Sequence, residues 1–170
     1  MAKDDRHSGQ YQRERYRPPF LATDLIIEHF NGQKQGIVLI TRKNPPYGVA
    51  LPGGFAEYGL SLEENARKEG MEETGLEFMI ENPEAPLCVH SDPDRDPRAH
   101  VISATYYGRG VGKLSAGDDA ATASIYSIDE LKCMLGKKEF AFPDHEKAIV
   151  KWMAHKGYMT NEEASKYIRK

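Results

Sequence analysis

The sequence predicts an α/β (α+β) fold, a mixed β-sheet held between helices. Three observations predict it: two apolar, β-branched runs near the front are separated by a turn signal, one central helix carries both a start and a stop signal, and strand-like and helix-like segments follow in mixed order.

The first 17 residues are polar and aperiodic and lead into Arg17-Pro18-Pro19-Phe20, so they read as a flexible N-terminal arm before a single domain over 18–170. "TDLIIEHF" (23–30) and "GIVLITR" (36–42) are the two apolar runs, and Asn31-Gly32 between them is a hairpin signal that pairs them antiparallel. "NPPYGVALPGG" (44–54) is a loop rich in Pro and Gly, with a brief strand inside it. Ser61 then starts a helix, with Glu64 completing a capping box, and Gly75 ends it in the left-handed conformation that closes helices. Strands are predicted in 86–92, 99–108 and 122–128, and helices in 128–135, 144–157 and 161–168.

Composition narrows the class. A chain of 170 residues suits one domain with a real core, and 39% hydrophobic with 29% charged residues is the balance of an ordinary globular protein. A formal net charge of -3 gives no electrostatic footprint for nucleic acid or an anionic membrane, so an anionic ligand must be met by local groups or a metal. Cys88 and Cys133 are too few for a disulfide framework and favour a reducing compartment. With no apolar stretch approaching the ~18 residues of a membrane span and no signal-peptide pattern, the expected location is cytoplasmic.

Glu69, Glu72 and Glu73 fall on one face of the central helix, three and four positions apart. Each like-charged pair costs roughly 0.2–0.5 kcal/mol in an isolated helix, and the negative end of the helix dipole disfavours them further. A hard divalent cation such as Mg2+ would compensate, taking carboxylates with water and phosphate oxygens; a solvated acidic face is the plainer alternative. Gly53 and Gly54, just before this helix, expose backbone whose carbonyl could add a further oxygen ligand. The opposite face narrows from Leu62 to Ala66 to Gly70, which suits close packing on a sheet, since Gly70 otherwise costs the helix about 1 kcal/mol.

"GGFAEYGLSLEENARKEGMEETGL" resembles the Nudix box, matching it at Gly54, Glu69, Glu72, Glu73, Gly75 and Leu76. It departs from the box at Leu60, where the family has Glu, at Lys68, where it has Arg, and at Gly70, where it has an aliphatic residue. The missing Glu and Arg are usually an ion pair in the family, so losing both is expected to leave no orphaned charge. The flanking segments "ITRKNPPYGVALPGGFAEYG", "SDPDRDPRAHVIS", "AGDDAA" and "FAFPDHEKAI" are similar to those of bacterial and archaeal ADP-ribose pyrophosphatases. Pro93, seventeen positions beyond Leu76, matches a proline that accompanies ADP-ribose preference there. Val49 and Thr122 stand where relatives often carry Trp and Glu.

The resemblance implies a Nudix α/β/α sandwich and a Mg2+-dependent hydrolase, with Mn2+ as a substitute, that cleaves ADP-ribose to AMP and ribose 5-phosphate. Glu69, Glu72, Glu73 and the Gly53 carbonyl would hold the metal, and the general base stays open among Glu69, Asp118 and Asp119. Pro93, Arg95, Arg98 and Arg42 form the expected substrate-binding set, although Arg95 and Arg98 could equally pair with Asp92, Asp94 and Asp96 to fix a stiff turn. Family members are often homodimers through their N-terminal strands. The alternatives are a Nudix hydrolase for an oxidised nucleoside triphosphate or a sugar nucleotide, and a non-catalytic ADP-ribose sensor; against the sensor stand the three retained glutamates.

Overall fold

The computed structural model describes residues 18–117 and 120–168, so the expected arm over 1–17 and the residues Asp118 and Asp119 lie outside it. Its elements run β1 (Phe20–Phe30), β2 (Gln35–Arg42), β3 (Val49–Ala50), β4 (Gly53–Phe55), α1 (Leu62–Thr74), β5 (Glu77–Ile80), β6 (Cys88–His90), β7 (Val101–Val111), β8 (Ala120–Tyr126), α2 (Ile128–Met134), α3 (Pro143–His155) and α4 (Asn161–Ile168). The strands form a mixed sheet in the order β3-β2-β1-β7-β5, with β4 on β1, β6 on β7 and β8 on β2. Only the β1–β7 pair among these is parallel.

The predicted hairpin forms, with Phe30 opposite Gln35. Asn31 closes it by accepting the Gln33 and Lys34 amides on its side-chain oxygen at 3.1 and 2.9 Å. β1 begins at Phe20, ahead of the predicted residue 23, because the parallel partner β7 extends the ladder to Phe20↔Val101.

β1 is buried on both faces, as a central strand between helical layers must be. Leu25 and Ile27 face a cluster with Val38, Ala66, Leu76, Phe78 and Tyr106, under α1. Ile26 faces the other way, among Ile37, Leu39, Leu131, Ile149 and Trp152, under α2 and α3. This is the α/β/α arrangement the sequence predicts.

In α1 the capping box is complete: Glu64 N–H donates to Ser61 Oγ at 3.2 Å and Ser61 N–H to the Glu64 carboxylate at 2.8 Å. Gly75 ends the helix at φ 68°, its N–H bonded to the Met71 carbonyl. Gly70 meets the sheet so closely that a β-carbon there would lie 2.9 Å from Phe78 Cβ, which is the packing reason for a glycine inside this helix. β5 is absent from the sequence-based expectation. Of its four residues only Phe78 is fully buried, which leaves too little alternation to announce a strand.

Candidate active site

The glycine strand β4 and the acidic face of α1 meet edge on. Gly53 N–H donates to Glu73 Oε2 at 2.7 Å. The Glu69 carboxylate rests on Gly54, where a β-carbon would come within 2.6–2.7 Å of its atoms. Gly53 in turn crosses β1 so tightly that a β-carbon would lie 2.1 Å from the Thr23 carbonyl, at a φ of 150°. Glu72 points aside: its Oε2 accepts from Lys68 Nζ at 2.5 Å. The three glutamates therefore share a helix face as expected, but their carboxylates do not gather round one point. Among the described residues no three His, Cys, Asp or Glu side chains stand close enough to hold a metal ion.

The segment before Asp118 docks on the end of α1. Ser115 N–H donates to the Thr74 carbonyl at 2.9 Å and Gly117 N–H to the Glu73 carbonyl at 3.0 Å. Asp119, a candidate catalytic residue, lies outside the described residues.

Beside the glycines opens a cleft lined by Asp24, Arg42, Gly54, Arg95, Arg98 and Phe142, among others. Three of the four expected substrate-binding residues thus come together. Pro93 does not line it; it is exposed at the second position of a turn in which Asp92 accepts the Asp94 amide on its side chain and the Arg95 amide on its carbonyl. The two loop arginines divide in role. Arg98 keeps 42% of its side chain exposed while gripping Asp96 through two bonds of 2.9 and 2.7 Å. Those bonds outweigh burial, which would raise the Asp96 carboxyl, and hold it below the usual carboxylate range. The Arg95 side chain is only 5% exposed and donates to Asp144 at 2.5 Å, with Asp24 at 3.6 Å.

Beneath the cleft lies a buried polar network that the sequence did not announce. His145 Nδ1 accepts the Leu51 amide at 2.9 Å, which puts the ring proton on Nε2, 3.3 Å from Asp24 Oδ1. Asp24 also accepts from the Ser103 hydroxyl. Burial would raise the Asp24 carboxyl, but the His145 ring, the Ser103 hydroxyl and the Arg95 guanidinium together hold it down at about 2. The segments carrying these residues, "TDLIIEHF" and "FAFPDHEKAI", were visible, yet an Asp in a strand and an Asp-His at a helix start carry no spacing signal that joins them.

Comparison with known proteins gives the frame for this geometry. The NUDIX domain signature matches residues 19–154. The chain belongs to the Nudix family. It is 44% identical over 144 residues to an ADP-ribose pyrophosphatase of Methanocaldococcus jannaschii, covering 83% of this chain and 77% of that one. The crystal structure of a MutT/nudix family protein from Enterococcus faecalis superposes with a TM-score of 0.70 at 28% identity, covering 99% of this chain and 75% of that one. The Nudix domain of Shewanella oneidensis NrtR, in a structure complexed with ADP-ribose, shares the fold with a TM-score of 0.73 at 20% identity, over 94% of this chain and all of that one.

Seen as a Nudix box, the loop-helix segment is rewired rather than stripped of its ion pair. In line with the expectation that no charge is orphaned, Lys68 is paired, bonding Glu57 at 3.0 Å as well as Glu72. Glu57 stands three residues before Leu60 and is brought there by Asn65, whose side chain accepts the Glu57 amide at 3.1 Å and donates to Thr23 at 2.9 Å. The carboxylates of the Nudix face are the oxygen donors a hard divalent cation takes, and they lie beside a seat at Gly54 that a β-carbon would fill. Glu72 is exposed, so its carboxylate is free to turn from Lys68.

Proposed function

We propose that this Nudix protein hydrolyses the diphosphate of ADP-ribose, giving AMP and ribose 5-phosphate. The observation that carries the proposal is the meeting of two surfaces, the glutamate face of α1 seated on Gly53 and Gly54, and the arginine-lined cleft that opens from the same glycines. The 44% identity to an archaeal ADP-ribose pyrophosphatase supports ADP-ribose as the substrate.

Glu69, Glu72, Glu73 and the Gly53 carbonyl would hold Mg2+, or Mn2+ in its place. Bound there, the cation would shield phosphate charge and acidify the attacking water. Arg98, 42% exposed beyond its grip on Asp96, would donate to the diphosphate oxygens as a planar fork, with Arg42 beside it. Arg95 would support that wall from within the protein rather than touch substrate. Water attacks one phosphorus, the bridging P–O bond breaks, and the proton of the water leaves to a carboxylate drawn from Glu69, Asp118 and Asp119.

Two finer features belong to the same proposal. The free cysteines suit a reducing cytoplasm. Phe20, Leu21 and Phe55, exposed together near the start of β1, suit the expected homodimer through N-terminal strands. Light scattering of the purified chain tests the dimer.

The deciding experiment measures AMP release from ADP-ribose, a sugar nucleotide and an oxidised nucleoside triphosphate, with and without Mg2+. ADP-ribose should give the highest kcat/KM, and only with the metal. Preference for another nucleotide, or binding of ADP-ribose without turnover, overturns the proposal.

A further inference from the structure

Phe142 occupies an unusual place. It is the N-cap of α3, where Ser, Thr, Asp or Asn would bond the first free amides, and it makes no such bond. Pro143 follows at the first helical position and restricts the Phe142 backbone to its extended conformation. Phe142 is only 4% exposed and forms part of the cleft lining. Around it stand three guanidinium carbons, Arg42 at 5.3 Å, Arg98 at 5.6 Å and Arg95 at 5.7 Å from its centroid.

Three like charges around one point repel, more strongly where water is scarce. Each has a partner of its own: Asp96 holds Arg98, Asp144 with Asp24 holds Arg95, and Arg42 donates through Nε to the Pro46 carbonyl at 2.9 Å. What all three share is the aromatic ring, whose face attracts cations through its quadrupole. The ring is itself fixed, since its neighbour His145 lies 4.9 Å away centroid to centroid and takes the Leu51 amide on the approach to β4.

We propose that Phe142 is the positioning residue of the diphosphate site: its ring holds the guanidinium groups of Arg42, Arg95 and Arg98 in one wall, so that affinity for a nucleoside diphosphate depends on the ring's face and not only on its bulk. The proposal rests on the diphosphate substrate inferred above. An aliphatic residue of similar volume would fill the space but offer no such face.

The test replaces Phe142 by phenylalanines carrying one, two and three ring fluorines, which drain the face of negative potential with little change of shape. Binding of ADP and of ADP-ribose is measured in EDTA by calorimetry, and KM and kcat for ADP-ribose with Mg2+. Kd for both ligands should rise in step with fluorination, to roughly five- to tenfold at three fluorines, with kcat within about twofold and an unchanged melting temperature. Phe142→Leu should weaken binding at least as far. A Kd for ADP that stays flat across the series overturns the proposal, whether or not Phe142→Leu folds. Failure of the wild-type protein to turn over ADP-ribose would instead overturn the proposed activity, while the ADP series would still decide the role of Phe142.

Discussion

Glu72 and Glu73 sit side by side in sequence but are held by different partners, one by the Lys68 ammonium and the other by the Gly53 amide. Replacing either by Gln keeps the shape and a hydrogen-bonding oxygen while removing a hard anionic ligand. Glu72→Gln and Glu73→Gln should each lower metal-dependent turnover by at least about tenfold at limiting Mg2+, with unchanged circular dichroism. Near wild-type rates in both variants would refute the metal assignment. The arginines of the 92–98 loop separate by burial. Arg98→Ala should raise KM for ADP-ribose about tenfold with kcat within about threefold, because its contact exists in ground and transition states alike. Arg95→Ala strands the buried Asp144 carboxylate, while Asp24 keeps Ser103 and His145, so a loss of roughly 3–5 kcal/mol of stability should appear first, measured by urea unfolding. Sequence alone placed both arginines in one loop. It could not say which points inward, since that depends on Asp144, forty-nine positions away.

At the scale of elements, α1 shows why local signals read so well here. Its start, its end and its narrow face are each written within the helix, by Ser61 with Glu64, by Gly75, and by Leu62, Ala66 and Gly70. The narrow face can be tested directly. Gly70→Ala would gain up to about 1 kcal/mol in helix propensity, but the new methyl would meet Phe78 Cβ at 2.9 Å. Overpacking of this kind costs about 1–3 kcal/mol, so the variant should be less stable in denaturant unfolding, and a more stable one would refute the close-packing account. The signals that failed were those set by another element. β5 exists because β7 offers an edge from Gly108 to Val111, and the Lys68–Glu57 pair exists because Asn65 anchors the intervening loop.

For the whole molecule, the unbroken apolar run of β1, buried on both faces, made the layered fold legible, whereas the charged floor of the cleft was not. That floor gathers Asp24 from β1, Ser103 from β7, Arg95 from a loop, and Asp144 with His145 from α3, next to the amide of Leu51. No periodicity links such positions; only the parallel β1–β7 pairing and the docking of α3 bring them together. Because the network joins segments from both ends of the domain, its protonation should act on global stability. Asp24 is buried, and its partners hold the carboxyl down at about 2 in the folded protein, below the usual 3.8. A depressed carboxyl contributes stability that is complete above the unfolded value and is lost as the pH falls toward the folded one. The difference is worth on the order of 2 kcal/mol, concentrated between about pH 4 and pH 2. Asp24→Asn should therefore melt at a lower temperature than wild type near neutral pH, with the gap narrowing as the pH is taken through that interval. Parallel melting curves, with a gap that persists unchanged down to about pH 2, would show that Asp24 stabilises the fold by shape and hydrogen bonding rather than by its charge.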